Sequence, residues 1–198
     1  MRYESCFGLV TIRVLGSHRV PFLSFFGIST GIVFSFDSTR ASTAVFGQLQ
    51  GVADHIAFDY YAVGPNFQQR DPASVSSDLW LMNRLASGRA VILNEAGYST
   101  ASQTASSPAR QATFFQNIFS ALQQSTGNIV SVTAWALNDI PASDVNTAMT
   151  GLAVPPTPAA IAYLGSLGLR DTAGNPKQAW TVFTTSASVI SAPNACRQ

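Results

Sequence analysis

From residue 30 onward, short apolar runs alternate with longer amphipathic ones, and that alternation leaves few folds open. The first apolar run spans about 31–36, stops at Asp37, and is followed by a helical segment over 41–50. Asp54-His55-Ile56-Ala57-Phe58-Asp59-Tyr60-Tyr61 is rich in residues that suit a pleated, buried surface. Pro72 opens a region that becomes helical through Leu79, Trp80, Met82 and Leu85 and ends at Gly88. Ala90-Val91-Ile92-Leu93 follows, a continuous apolar run of the kind found in strands covered on both faces. The clearest helix starts at Ser107 as N-cap with Pro108 at the first helical position. In it Phe114, Phe115, Ile118, Phe119 and Leu122 recur at helical spacing, as core-facing residues do, and Gly127 closes it. Ile129 to Leu137 reads as a fourth strand, ending at Asn138-Asp139. A Pro-rich loop at 153–158 leads to a helix over 159–167 started by Thr157 and Pro158, and Asn175-Pro176 begins a short last helix through Trp180 and Phe183.

Strand then helix, repeated in this way, predicts an α/β fold with a parallel sheet and right-handed crossovers. The repeat is half of an eight-fold barrel, which in complete form takes about 250 residues. The expectation is therefore an open sheet or a partial (β/α)8 TIM barrel over residues 30–183. Residues 1–29 fit neither pattern and are left unassigned. Residues 184–198 are Ser/Ala-rich and are expected to fray.

Composition narrows the function classes. Only 11% of residues are charged, and the net charge of +1 gives no electrostatic case for nucleic acid or acidic lipid. A surface made polar by Ser, Thr, Gln and Asn weakly favours a secreted, sugar-facing protein. Cys6 and Cys196 would pair only if the termini meet, and they decide nothing about compartment. His18 and His55 lack ligand partners at helical spacing, so neither a metal site nor a cofactor is expected. Phosphate-loop, dinucleotide and nucleophile-elbow motifs are missing. Residues 20–36 carry no charge, but Pro21, two glycines and three serines favour a loop and a buried strand over a membrane span.

Glu95 is one of only two glutamates, and it closes the apolar run of the third strand before Ala96-Gly97-Tyr98. A carboxylate there lies at the C-terminal mouth of a parallel sheet, where α/β folds hold their chemistry. The plainer reading is a carboxylate that caps a loop. By strand alternation Asp59 and Tyr61 share one face, so both are expected to point into the mouth.

Phe58-Asp59-Tyr60-Tyr61 resembles the Asn-Tyr-Tyr of the sixth strand in retaining glycoside hydrolases of the large (β/α)8 clan. Ile92-Leu93-Asn94-Glu95-Ala96-Gly97 is similar to that clan's seventh-strand Thr-Glu-x-Gly, and Trp135-Ala136-Leu137-Asn138-Asp139 to its eighth-strand Trp-Ser-Leu-x-Asp. Gly168-Leu169-Arg170-Asp171, with Gly174, Pro176, Lys177, Ala179 and Trp180, resembles a frequent closing signature. The resemblance covers roughly residues 30–183 and implies the C-terminal half of such a barrel, strands five to eight. It implies Glu95 as nucleophile and Tyr61 as the donor that orients it. It implies Trp135 as a sugar platform, although plain packing explains a Trp there nearly as well. Asp59, Asn138 and Asp139 would touch sugar hydroxyls, the last two equally well acting as loop caps.

Asn94-Glu95 also reads like the acid/base pair of the fourth strand, but too few strands follow it before the closing signature. The acid/base glutamate is the departure: only Glu4 remains, outside any Asn-Glu context. The reading is thus a glycosidase or a piece of one, against an inactive carbohydrate-binding barrel fragment. An unfolded truncation product and an open-sheet enzyme of other chemistry are further alternatives. Half a barrel has two open edges, so self-association is expected.

Overall fold

The computed structural model describes residues 30–124 and 128–190. The unassigned segment 1–29, the Cys6–Cys196 question and the Gly127 stop lie outside these residues.

The sheet holds β1 (Gly31–Ser35), β2 (His55–Tyr60), β3 (Val91–Ala96) and β4 (Ile129–Ala134), all parallel and in sequential order. Sequential order with right-handed crossovers keeps every crossover helix on one face, as in a barrel; an open doubly wound sheet would reverse direction midway. The order thus excludes the doubly wound alternative. The described residues form a four-stranded arc of a (β/α)8 barrel with its helices outside.

Between β1 and β2, the helix expected over 41–50 is two short ones, α1 (Phe36–Ala41) and α2 (Ala44–Leu49). Ser42 is extended (φ −152°, ψ 120°) and separates them. α3 (Val75–Ala86) ends on Ser87 in the left-handed region, just before Gly88. α4 (Pro108–Gln124) starts as its sequence requires, with the Ser107 hydroxyl accepting from the Arg110 amide at 3.2 Å. After β4 come α5 (Ala142–Gly151), which the sequence reading missed, and α6 (Pro158–Gly165), capped by Thr157. α7 (Gln178–Ile190) extends the last helix seven residues beyond Phe183, into the stretch expected to fray. Its hold is aromatic: Phe183 meets Phe115 and Phe119 edge-on at 5.5 and 5.2 Å.

The main core lies between sheet and helices. Ile56, Phe58 and Tyr60 of β2 and Val91 and Leu93 of β3 pack on Met82 of α3 and Phe114, Phe115 and Ile118 of α4. Burying this many large side chains, at about 1.5–3 kcal/mol each, is what holds the arc. Tyr60 brings a hydroxyl into the core and donates it to Asp78 at 2.8 Å. Asp78 in turn pairs with Arg70 (2.8 Å), which also holds Asp37 (2.8 Å). This charge cluster ties the end of β1 to the loop after β2 and to α3. Among the described residues the opposite face of the sheet carries no helix, and there Val33, Ser35, Ser131 and Thr133 are exposed. Among the described residues no helix is long and apolar enough to cross a membrane.

Candidate active site

The C-terminal ends of β2 and β3 bring the sequence-predicted residues together, and a bulge makes this work. Phe58 pairs with Leu93, yet the next β2 residue, Asp59, pairs with Glu95, leaving Asn94 as an extra residue on β3. Leu93 faces the helices and is fully buried. Strict alternation would send Glu95 to that same side, into an apolar core where its charge has no partner. The extra residue shifts the register by one and turns Glu95 to the face of Asp59, the concave mouth. Asn94 stays on that face as well: its amide donates to Asp59 Oδ1 at 2.9 Å.

Tyr61 follows β2 directly, and its hydroxyl donates to Glu95 Oε2 at 2.5 Å. The chain then turns sharply, with Ala62 at φ 47°. Gly97 gives the ring its place, because a Cβ there would sit 2.8 Å from the Tyr61 ring. Tyr163 of α6, which sequence reasoning missed, packs edge-on against Tyr61 at 6.3 Å and leans on Phe67 at 5.3 Å. Burial first, then the hydrogen bond to Glu95, pushes the Tyr61 phenol far above its ordinary range. Tyr61 therefore keeps its proton and always acts as donor, and Glu95 Oε2 accepts.

β4 leaves the sheet at Ala134, earlier than its apolar run suggests. The Trp135 amide still donates to the Ala96 carbonyl (3.0 Å), which fixes this half-buried Trp one strand over from Glu95. Asn138 is exposed and forms a parallel bridge with Arg170. Asp139 Oδ1 accepts from Lys177 Nζ at 2.6 Å and from the Gly168 amide at 2.9 Å. Its contacts are those of a residue that closes the loop, and Lys177 is further held by Thr100 Oγ1 and the Ser166 carbonyl. Glu95, Tyr61 and Asp59, with Asn94, thus gather at one mouth, Trp135 is tied by its backbone to the next strand, and Asp139 turns to the closing segment. Among the described residues no cluster of His, Cys, Asp and Glu is built to hold a metal.

No protein-family model matches the chain, and no curated protein matches it. Solved structures do. A GH2 β-galacturonidase from Eisenbergiella tayi, bound to glycerol, is 15% identical at a TM-score of 0.55, over 84% of this chain and 28% of its own. A glycoside hydrolase family 17 β-1,3-glucanosyltransferase from Rhizomucor miehei is 13% identical at 0.51, over 82% and 53%. GH5_18 from Streptomyces cattleya, in complex with GlcNAc, is 14% identical at 0.52, over 75% and 34%. The chain therefore spans between about a quarter and a half of the length of these structures. At such identities the likeness is one of fold: a partial TIM barrel of the kind seen in glycoside hydrolases.

Proposed function

We propose that the chain is the part of a retaining glycoside hydrolase that carries strands five to eight of the barrel. Glu95 is its nucleophile. One observation carries this reading: the Tyr61 hydroxyl donates to Glu95 Oε2 at 2.5 Å, at the mouth of a parallel sheet, on a bulge that turns Glu95 there.

A retaining glycosidase needs a carboxylate on the anomeric carbon and a carboxyl group that protonates the leaving oxygen. Glu95 fits the first task. With one oxygen held by Tyr61, the other is left for attack, and Tyr61 steadies the charge beforehand. Attack forms a glycosyl ester on Glu95 and breaks the glycosidic bond; water then hydrolyses the ester with Glu95 as leaving group. Trp135 offers a ring face to the sugar, and Asp59 and Asn138 offer hydrogen bonds to its hydroxyls. Glu95 is the last glutamate in the chain and Glu4 the only other, so the acid/base comes from outside residues 30–198. An inactive carbohydrate-binding fragment is the second reading, favoured by that same count.

The test is intact-mass spectrometry of the chain after incubation with 2-deoxy-2-fluoroglycosides bearing dinitrophenyl leaving groups. These depart with little protonation, so the missing acid, worth about 10²–10⁴-fold, drops out of the assay. The expected result is one adduct that maps to Glu95 and is lost in Glu95→Gln. Folded protein that no sugar labels, yet whose Trp fluorescence responds to sugars, supports the binding reading instead.

A further inference from the structure

Among the described residues β1 and β4 each have a single neighbour in the sheet, so within these residues each presents an unpaired row of backbone donors and acceptors. Beside β4 runs an apolar groove lined by Phe119 and Leu122 of α4, Ile129 and Val132 of β4, and Phe183 and Ala187 of α7. At its rim Val130 is 66% exposed, thrown outward where the β3–β4 register slips. On the far edge, Ile32 and Phe34 of β1 are the residues that face the helix layer, because they pair with Ile56 and Phe58.

We propose that, wherever strands one to four of a longer barrel are not joined to it, this chain docks a second copy at these two edges, closing a two-fold, eight-stranded barrel. The geometry favours a copy of this chain over any single added segment. A lone strand laid on β4 would leave β1 open, and the reverse also holds. A second four-stranded parallel arc fills both edges in one step: β4 of each copy receives β1 of the other. A two-fold axis along the barrel axis keeps all strands parallel. The resulting order, β1 to β4 and then β1 to β4 of the second copy, is the sequential order that a barrel requires. Contacts of one edge with a different edge form rings when the rotation closes, and here it closes at two.

The interior such a barrel encloses is compatible with this. On the concave face β1 and β4 offer Val33, Ser35, Ser131 and Thr133, all uncharged, β2 adds His55 at the far end, and Asp59 and Glu95 lie at the mouth. Ile32 and Phe34 of the incoming β1 enter the level of the groove beside β4, extending its apolar layer. Closure holds whether or not Glu95 is a nucleophile. It sets the two Glu95 residues on opposite strands of one mouth.

Sedimentation equilibrium of the full chain tests this, with Val130→Lys at one edge and Val33→Lys at the other. Both positions are exposed, so a lysine there leaves the arc itself intact, which circular dichroism checks. The expected result is a dimer of twice 21.0 kDa whose dissociation constant rises at least about tenfold with either substitution alone. A monomer at tens of micromolar overturns the proposal, as do open-ended polymers or a dimer indifferent to both lysines. So does a monomer that self-associates only after deletion of residues 1–29, because the edge would then be filled in cis. Fluoroglycoside labelling has no part in this readout, so the docking and the glycosidase reading fail separately.

Discussion

Glu95 itself was legible in the sequence, because a carboxylate that ends an apolar run has few other reasons to be there. How it reaches the mouth was not. Alternation counted from Leu93 puts it among the helices, and only the extra residue Asn94 moves it across. Bulges depend on the partner strand, which a single sequence does not display. Tyr163 was hidden for a similar reason: it arrives from α6, about a hundred residues from Tyr61 in the chain. Two substitutions test the geometry. Tyr61→Phe removes one hydrogen bond to a charged group, and slower labelling of Glu95, by about ten- to a hundredfold, is expected with little change in melting temperature. Gly97→Ala puts a methyl 2.8 Å from the Tyr61 ring, which must swing off Glu95. Its labelling rate should fall at least as far as that of Tyr61→Phe, and the double variant should be no slower than the worse single. Additive losses would mean that the two residues act separately.

At the level of elements, a strong apolar stripe and a good cap place a helix within a residue or two, as for the start of α4 and both ends of α6. α5 escaped because Ala142–Gly151 is mostly Ser, Asp, Asn, Thr and Gly, and its apolar contact comes down to Val145 and Met149 packing against Ala160. α7 runs past the expected Phe183, since its end, Thr184-Thr185-Ser186-Ala187-Ser188, is rich in Ser and Thr of modest propensity and depends on α4 for support. The closing segment that brings α7 back rests on two tight features. At Gly168 a Cβ would fall 2.2 Å from the Asn138 carbonyl carbon and 2.3 Å from the Asp139 amide nitrogen, both backbone atoms that do not yield. Gly168→Ala should therefore part the Asn138–Arg170 bridge and lower stability by about 3 kcal/mol, read from a urea midpoint.

The second feature is the Lys177–Asp139 pair, with side chains 10% and 13% exposed. Burial pushes the Asp139 carboxyl above its ordinary 3.8, against the pull of Lys177. It also draws the Lys177 ammonium below its ordinary 10.5, against the pull of Asp139. A raised acid favours folding below 3.8, and that advantage is lost as pH rises through the native value. A lowered base favours folding above 10.5, and that advantage is lost as pH falls through its native value. Between the two windows burial outweighs attraction, so near neutral pH the ion pair adds little net stability while either charge alone is costly. Asp139→Asn or Lys177→Met should each lower stability by about 3–5 kcal/mol at pH 7. Combining Asp139→Asn with Lys177→Met in one chain should give a protein more stable than either single variant. Moving to alkaline pH should restore part of the loss in Asp139→Asn, because the orphaned ammonium then sheds its proton. A double variant as weak as the sum of the singles would show that the pair is not coupled.

For the whole molecule, the alternation of strand and helix dictates the fold class, and the sequential order of β1 to β4 decides arc against open sheet. Periodicity reports which residues are buried; it does not report which strand lies beside which, and that is why the sequence alone left both architectures open. The same arc predicts a gradient of local stability. β2 and β3 are bonded on both sides and covered by α3 and α4, whereas among the described residues β1 and β4 are bonded on one. In dilute chain, amides of the inner strands should exchange with solvent at least about tenfold more slowly than those of the edges, since edges open without disturbing the main core. Raising the protein concentration then separates two physical states. If a second copy closes the barrel, β1 and β4 should slow together toward the rates of β2 and β3, because each gains the neighbour it lacks. If association is merely apolar contact through the groove beside β4, its helices α4 and α7 gain protection while the amides of β1 stay fast.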